Sequence, residues 1–281
     1  MSNLKFADLH IHTLHSDGCE SPAGVVGRAA RLGFSCISIT DHDTCSGLEE
    51  AAEAAEEHGV ELIPGIEVST YMGEKSIHIL GYMMDVNNDS FKQILALNQD
   101  GRMERMERMV AKLNELGFSV ELSDVLDFVG SGTVGRALLA KYLVDRGHFG
   151  SVEEVFHEIL GDGKPVYEPV PKLSPEEAIR IISKSGGVSS LAHPGHTDVD
   201  GEIPRLAEEG LDGIEAFSPQ HSSRMANHYL DVAKRYGLLV TGGSDCHGEA
   251  GGWRDLGSVR LPYDRVERIR ERAARAHVVS G

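Results

Sequence analysis

Cysteine is scarce in this chain. Its 281 residues include four, Cys19, Cys36, Cys45 and Cys246, and no two of them form a C-x-x-C pair. Such sparse usage cannot build a disulfide framework and fits a reducing compartment. Positive charge is short as well: 27 Lys and Arg against 44 Asp and Glu leave a formal net charge of -17. A long electrostatic grip on DNA or RNA needs clustered cations. Long nucleic acid is therefore excluded as a partner, while a small anion or a short oligonucleotide held locally is not. Long apolar runs are missing too. None approaches the roughly 20 residues that span a bilayer, and the opening MSNLKFADLH lacks the apolar stretch of a signal peptide. The expectation is a cytoplasmic protein with no membrane partner. There is no internal repeat or low-complexity tract, and 41% hydrophobic with 25% charged residues is an ordinary globular composition.

What the chain does have is an alternation of strand and helix signals. Segment 5 to 12 reads as a strand, and SPAGVVGRAARLG follows with Ser21 as N-cap, Pro22 at the first helical position and Gly33 as stop. CISITDH is the next apolar run. In SGLEEAAEAAEEHG, Ser46 and Glu49 make a capping box and Gly59 ends the helix. ELIPGIEVST and SIHILGYM are strands. After residue 170 come the capped helix SPEEAIRIISKSG, the strands GVSSLAHP and GIEAF, the helix SSRMANHYLDVAKRYG and the strand LLVTGGSDCH. Strands with helices between most of them predict an α/β protein on a mainly parallel sheet or barrel. From about residue 90 to 160 the signals are almost all helical, including SVEEVFHEILG with a capping box at Ser151 and Glu154. The expected organisation is a barrel over 1–95 and 166–281, with an inserted helical, substrate-binding subdomain over 96–165.

The stretch DLHIHTLHSDG, residues 8 to 18, sets histidines into the first strand. His10 and His12 are two apart and share a strand face. His42 ends SITDH, Glu67 lies in PGIEVS, His78 in SIHILGY and His193 in SLAHPG, while Asp245 and His247 close GGSDCH. Almost every strand thus delivers a metal-capable side chain, usually near its C-terminal end, where such barrels build active sites. A lone buried His is commonly a hydrogen-bonded core residue. So many ionisable groups at successive strand ends are better explained by a polynuclear metal centre, since burying them without a cation is costly. Imidazole and carboxylate without thiolate suit Mn(II), Fe(II) or Zn(II). Cys246 should point away from the site. Asp8 can orient a ligand imidazole or make an ordinary structural hydrogen bond, and His15 is either a ligand or a group outside the ligand set.

Taken in order and spacing, DLHIHTLHSDG, SITDHDT, GIEVS, IHILGY, LAHPG and GSDCHG resemble the PHP (polymerase and histidinol phosphatase) family, and the resemblance covers essentially the whole chain. It implies a distorted (β/α)7 barrel with a helical insertion and a trinuclear metal site that hydrolyses phosphoesters. By that resemblance His10, His12, Glu67 and Asp245 would hold one ion. Glu67 would bridge to a second, held by His78 and His193, and Asp17, His42 and His247 would hold the third. A metal-bridging hydroxide would attack phosphorus in line, with no protein nucleophile. His221, in SPQHSS, is the candidate general acid for an alkoxide leaving group; a surface histidine on a loop leading into a helix is the alternative. Asp17 and His221 are the residues singled out for catalysis.

Within the family, GRMERMERM, GRALLAKYLVDRG and GDGKPVYEP resemble the nucleotide-directed subgroup. Its members include phosphatases that remove the 3′-phosphate of nucleoside 3′,5′-bisphosphates and relatives acting on short RNA 5′ ends. Arg102, Arg105, Arg136 and Lys164 are cations suited to a second phosphate, and His221 joins them as a substrate-binding candidate. Arg102 and Arg105 can equally be helix-face charges paired with Glu104 and Glu107. Arg136 stands at a helix start, where phosphate binding is easy. Lys164 sits in a loop that could close as a lid. Met103, Met106 and Met109 are spaced for a helix core face. The expected enzyme is a metal-dependent phosphatase with a small nucleotide as substrate and phosphate as product. A 5′-to-3′ exonuclease on short oligoribonucleotides, a histidinol phosphate phosphatase and a non-enzymatic accessory module are the alternatives.

Overall fold

The computed structural model describes residues 4–73, 75–130, 133–161, 163–169, 173–248 and 255–279. Two units emerge, Met1–Gln93 with Leu173–Gly281, and Ile94–Lys172. The first is built on the strands β1 (Phe6–Ile11), β2 (Cys36–Ile39), β3 (Glu61–Met72), β4 (Lys75–Tyr82), β5 (Val188–Leu191), β6 (Gly213–Phe217), β7 (Leu239–Gly242) and β8 (Leu261–Pro262). The helices are α1 (Pro22–Arg31), α2 (Leu48–His58), α3 (Asp89–Glu115), α4 (Leu122–Val129), α5 (Arg136–Asp145), α6 (Val152–Val155), α7 (Pro175–Lys184), α8 (Pro194–Thr197), α9 (Ile203–Glu208), α10 (Ser223–Tyr236) and α11 (Asp264–Val279).

The strands form one sheet in the order β7-β6-β5-β4-β3-β2-β1-β8. β8 pairs antiparallel with the start of β1. The far end of β1 instead meets the chain beyond β7, where the Asp245 N–H donates to the His10 carbonyl at 2.8 Å and the His12 N–H to the Cys246 carbonyl at 2.9 Å. The result is the expected α/β barrel, nearly closed, with β8 as an added short strand. The parallel pairing predicted from the alternation holds for β1–β2, β2–β3, β5–β6 and β6–β7. β4 departs from it and runs antiparallel to both β3 and β5. Its link to β3 is far shorter than the dozen or so residues a parallel crossover needs, and Gly73 takes the left-handed turn conformation there, at φ 64°.

Local signals in the sequence mostly position the helices. Ser21 caps α1 by accepting from the Gly24 N–H at 3.1 Å, and Gly59 ends α2 at φ 66°. α7 carries a complete capping box of Ser174 and Glu177. The predicted box at Ser46 and Glu49 is not formed. Gly47 is the N-cap of α2, because the Ser46 hydroxyl is engaged by His15 Nδ1 at 2.7 Å and Thr44 Oγ1 at 3.0 Å. α1 and α2 contribute Val25, Val26 and Ala51 to a core with Ile11, Ile37 and Ile39. α11 contributes Val266 and Ile269 to another with Ala7 and Leu9. Each such side chain stabilises by about 1.5–3 kcal/mol on burial.

The second unit has a core of its own, including Met106, Met109, Leu113, Leu139 and Leu160. Met106 and Met109 follow the predicted core face, whereas Met103 is only partly buried. At α6 only half of the predicted capping box forms: Ser151 accepts from the Glu154 N–H at 3.2 Å, but the Glu154 carboxylate turns to the Gly150 N–H at 2.7 Å. Lys112 Nζ donates to the Tyr167 carbonyl at 3.0 Å and Arg108 Nε to Glu168 at 3.0 Å. These contacts tie the segment past residue 165 to α3. Among the described residues, no helix is long and apolar enough to cross a membrane.

Candidate metal centre

β1 ends inside the barrel, and His10 within it and His12 just past its end are fully buried. The ladder between β1 and β2 is irregular between Asp8 and Ile11, so strict alternation fails there. Asp8 consequently accepts from the Ser244 N–H at 2.9 Å and the His10 N–H at 3.4 Å. It makes a structural hydrogen bond, not an imidazole contact. The His10 ring is oriented instead by Glu215 on β6, whose Oε1 lies 3.1 Å from Nδ1.

Glu67, on β3, is the hub. Its Oε1 lies 2.8 Å from His78 Nδ1 and 3.1 Å from His193 Nε2. Its Oε2 lies 3.2 Å from His10 Nε2, 3.1 Å from His12 Nε2 and 3.3 Å from His42 Nδ1. The antiparallel course of β4 matters here: His78 sits in register with Ser69 of β3, so this candidate ligand comes from the first half of its strand, unlike His10 and Glu67. His42 reaches the hub through the short bridge His42–Glu67 beyond β2.

A second focus surrounds Asp17. Its Oδ1 lies 3.2 Å from His247 Nε2 and 3.7 Å from His12 Nδ1, and its Oδ2 lies 3.9 Å from His42 Nε2. The loop that carries Asp17 is pinned by buried Asp41, which accepts from the Thr13 N–H at 2.7 Å, from Thr13 Oγ1 at 2.6 Å and from the Ser16 hydroxyl. Asp245 adopts a left-handed backbone at φ 51°. Its Oδ1 faces His10 Nε2 at 3.5 Å and His12 Nε2 at 3.3 Å, while Oδ2 accepts from Gln220 Nε2 at 3.0 Å. Cys246, between these ligands, accepts from Arg28 at 3.1 Å and belongs to the core under α1 and α2.

Among the described residues three groups present ligand atoms within 4.8 Å of one another: His12, Asp17, His42 and His247; His10, His12, Glu67 and Asp245; and His42, Glu67 and His78. The sharing is wider than the resemblance implies, since His12 and His42 each serve two groups. His193 contacts Glu67 but falls in none of the three. His10 Nε2, His12 Nε2, His42 Nδ1 and His193 Nδ1 are buried with no hydrogen-bond partner. The lone pairs of the first three, placed beside Glu67 or Asp245, fit divalent cations held by nitrogen and oxygen. The charge balance agrees. Burial opposes ionisation of Glu67 and Asp245, yet the surrounding imidazoles hold both carboxyls below their ordinary range. Burial pushes His42 down to about 3, whereas Asp245 and Glu67 outweigh burial at His12 and raise it to about 10. Metal entry therefore has protons to displace.

The remaining predicted residues are distributed as follows. His15 hydrogen-bonds Ser46 and belongs to none of the three groups. His221 has both ring nitrogens in backbone hydrogen bonds, Nδ1 with the Ala216 carbonyl at 3.0 Å and Nε2 with the Gly195 N–H at 3.1 Å. In this arrangement it braces a turn and has no free N–H for a leaving group. In the second unit Arg102 donates to the Val134 carbonyl at 3.3 Å, and Arg136 lies 5.2 Å from the Tyr167 ring and 5.9 Å from Phe156. Arg105 is buried and Lys164 exposed. Glu104 pairs with Arg108 at 3.9 Å.

Sequence reasoning missed Glu215, Asp41 and Gln220. Glu215 left a signal, a carboxylate in the middle of the apolar strand GIEAF, and Asp41 stood beside His42 in SITDHDT. Gln220 left none.

Comparison with known proteins adds the context. The PHP domain family matches residues 8–240. A 3′,5′-nucleoside bisphosphate phosphatase of Chromobacterium violaceum is 34% identical over 263 residues, 92% of this chain and 91% of its own. The 5′-3′ exoribonuclease Rnm of Escherichia coli is 32% identical over 267 residues, again 92% and 91%. A solved metal-dependent phosphoesterase chain from Bifidobacterium adolescentis superposes with a TM-score of 0.88 at 33% identity, covering 95% of this chain and 96% of that one.

Proposed function

This chain belongs to the PHP family, and from that premise we propose that it hydrolyses a phosphomonoester of a small nucleotide, the 3′-phosphate of nucleoside 3′,5′-bisphosphates. The observation that carries the reading is the convergence of five imidazoles on the single buried carboxylate of Glu67. His10, His12, Glu67 and Asp245 would hold one ion, Glu67 with His78 and His193 a second, and Asp17, His42 and His247 a third. Mn(II), Fe(II) or Zn(II) bound there would polarise the phosphoryl oxygens and supply a hydroxide nucleophile near neutral pH. The protein's own part is to hold the ligands still. Asp41 fixes the loop of Asp17, and Gln220 leaves one oxygen of Asp245 facing the imidazoles. Asp17 would serve the reaction through the ion it holds with His42 and His247. His221 acts here by shaping the Gly195 turn beside the site, since both its nitrogens are engaged.

The substrate assignment is supported by the bisphosphate phosphatase relative and by the cations of the second unit. Arg136, flanked by Tyr167 and Phe156 at the start of α5, would take the second phosphate, with Arg102, Arg105 and Lys164 contributing charge. The exonuclease reading has support of its own in the Escherichia coli relative. Metal-loaded protein assayed on adenosine 3′,5′-bisphosphate, AMP, histidinol phosphate and a 5′-phosphorylated trinucleotide separates them. Preference for the bisphosphate is expected, and preference for any of the others overturns it. Arg136→Ala is expected to lose a charged hydrogen bond worth about 2–3 kcal/mol, which is roughly 30- to 150-fold in kcat/KM on the bisphosphate. A generic aryl phosphate should hardly respond. Equal losses on both would assign Arg136 to the fold.

Asp41→Ala supplies an independent check on the third group. With the Thr13 and Ser16 donors released, the chain is expected to lose about one equivalent of metal and keep the rest. Full metal content by elemental analysis would refute this.

A further inference from the structure

A strand that reads apolar on both sides has a carboxylate at its centre. Glu215 of β6 is completely buried, between Ile214 and Ala216, which are themselves buried hydrophobics. A buried carboxylate must have its lone pairs matched. Those of Glu215 go to His10, which falls in one of the three ligand groups, and to His193, which contacts Glu67. Oε1 lies 3.1 Å from His10 Nδ1, and Oε2 accepts the backbone N–H of His193 at 2.8 Å.

We infer that Glu215 is a positioning residue of this centre: one carboxylate fixes the ring tautomer of His10 and holds His193 in the turn from which its imidazole reaches Glu67. For His10 the reasoning is a matter of donors. A carboxylate only accepts, so the neutral ring carries its proton on Nδ1 and keeps a bare lone pair on Nε2. Nε2 is the atom that faces Glu67 at 3.2 Å and Asp245 at 3.5 Å, and it has no hydrogen-bond partner. For His193 the reasoning is one of backbone strain. Its φ of 28° and ψ of 54° are costly for a residue with a Cβ. The conformation persists because surrounding bonds hold it, and the Glu215 contact is one of them. From that backbone Nε2 comes within 3.1 Å of Glu67. Glu215 thereby links two ligands, from β1 and from beyond β5, that have no sequence proximity.

This rests on the metal-holding reading above. The test is Glu215→Gln, which keeps the size but sets an amide NH2 against one of the two donors, with Glu215→Ala beside it. Wild type and variants are loaded with zinc, and affinity is read by competition with a chromophoric chelator. Thermal unfolding of the metal-free proteins is followed in parallel. Two-bond ¹H–¹⁵N spectra of zinc-loaded wild type report the His10 tautomer. E215Q is expected to weaken zinc binding about 10- to 100-fold while its metal-free form still unfolds cooperatively, and His10 should be the Nδ1–H tautomer. Wild-type affinity in E215Q and E215A, or His10 protonated on Nε2, overturns the inference. If neither variant folds, the wild-type tautomer decides. Failure of the wild type to take up zinc, manganese or iron would sink the metal-holding reading itself, whereas normal uptake in wild type and E215Q alike sinks only the role of Glu215.

Discussion

Replacing Glu67 by glutamine is expected to empty the centre and abolish turnover. The carboxylate stands within 3.3 Å of nitrogens from five histidines delivered by four different strands or their extensions. Among the described residues it is the one carboxylate shared by two of the three groups. Glutamine keeps one oxygen but turns an NH2, which donates and offers no lone pair, toward a cation, and it brings no charge to neutralise one. Charge stabilisation by bound cations is worth several kcal/mol. A loss of about 4 kcal/mol corresponds to roughly 10³-fold in kcat. Elemental analysis should show at most a fraction of the wild-type metal, with kcat down at least that far. A variant that retained full metal content and a tenth of the activity would remove Glu67 from the hub.

The second large effect comes from a glycine. Gly243, just past β7, donates its N–H to the Phe217 carbonyl at 3.0 Å and packs against the backbone of β1. A methyl group there would collide with the Cβ and backbone nitrogen of His10 and come within 2.8 Å of its Cα. Backbone cannot step aside as a flexible side chain can, so Gly243→Ala must push β1 and the 243–246 segment apart. That separation breaks the hydrogen bonds closing the barrel and moves His10 and Asp245, two ligands of one group, away from each other. Overpacking a core typically costs about 1–3 kcal/mol, and a clash with the backbone of β1 belongs at or above the top of that range. A Tm lowered by about 10 °C is expected, together with loss of stoichiometric metal uptake. An unchanged Tm with normal metal content would show that the seam opens without consequence.

Most of the candidate ligands were legible in the sequence because a buried histidine at a strand end is anomalous, and six in series point to cations. His10, His12, His42, Glu67, His193, Asp245 and His247 all sit where the strand pattern places them. His78 was legible as a candidate, but its route into the site was not, since it depends on β4 running antiparallel to β3. Asp8 and Glu215 show the complementary case. Alternation put Asp8 beside His10, while a register irregularity gave the orienting task to a carboxylate 205 positions away. Ser46 likewise had the sequence of a helix cap, and lost that role because His15 offered its hydroxyl a better-placed partner.

The sequence by itself determined the class of chain, the α/β alternation, the family and the chemical identity of the donor set, because these rest on residue type and short-range periodicity. Tertiary structure alone decided which donors share an ion-sized space, which carboxylate steadies His10, which loop Asp41 pins, and that both nitrogens of His221 are taken. Those outcomes depend on where separate strands come to lie against one another, within tenths of an ångström, and spacing along the chain carries no such information.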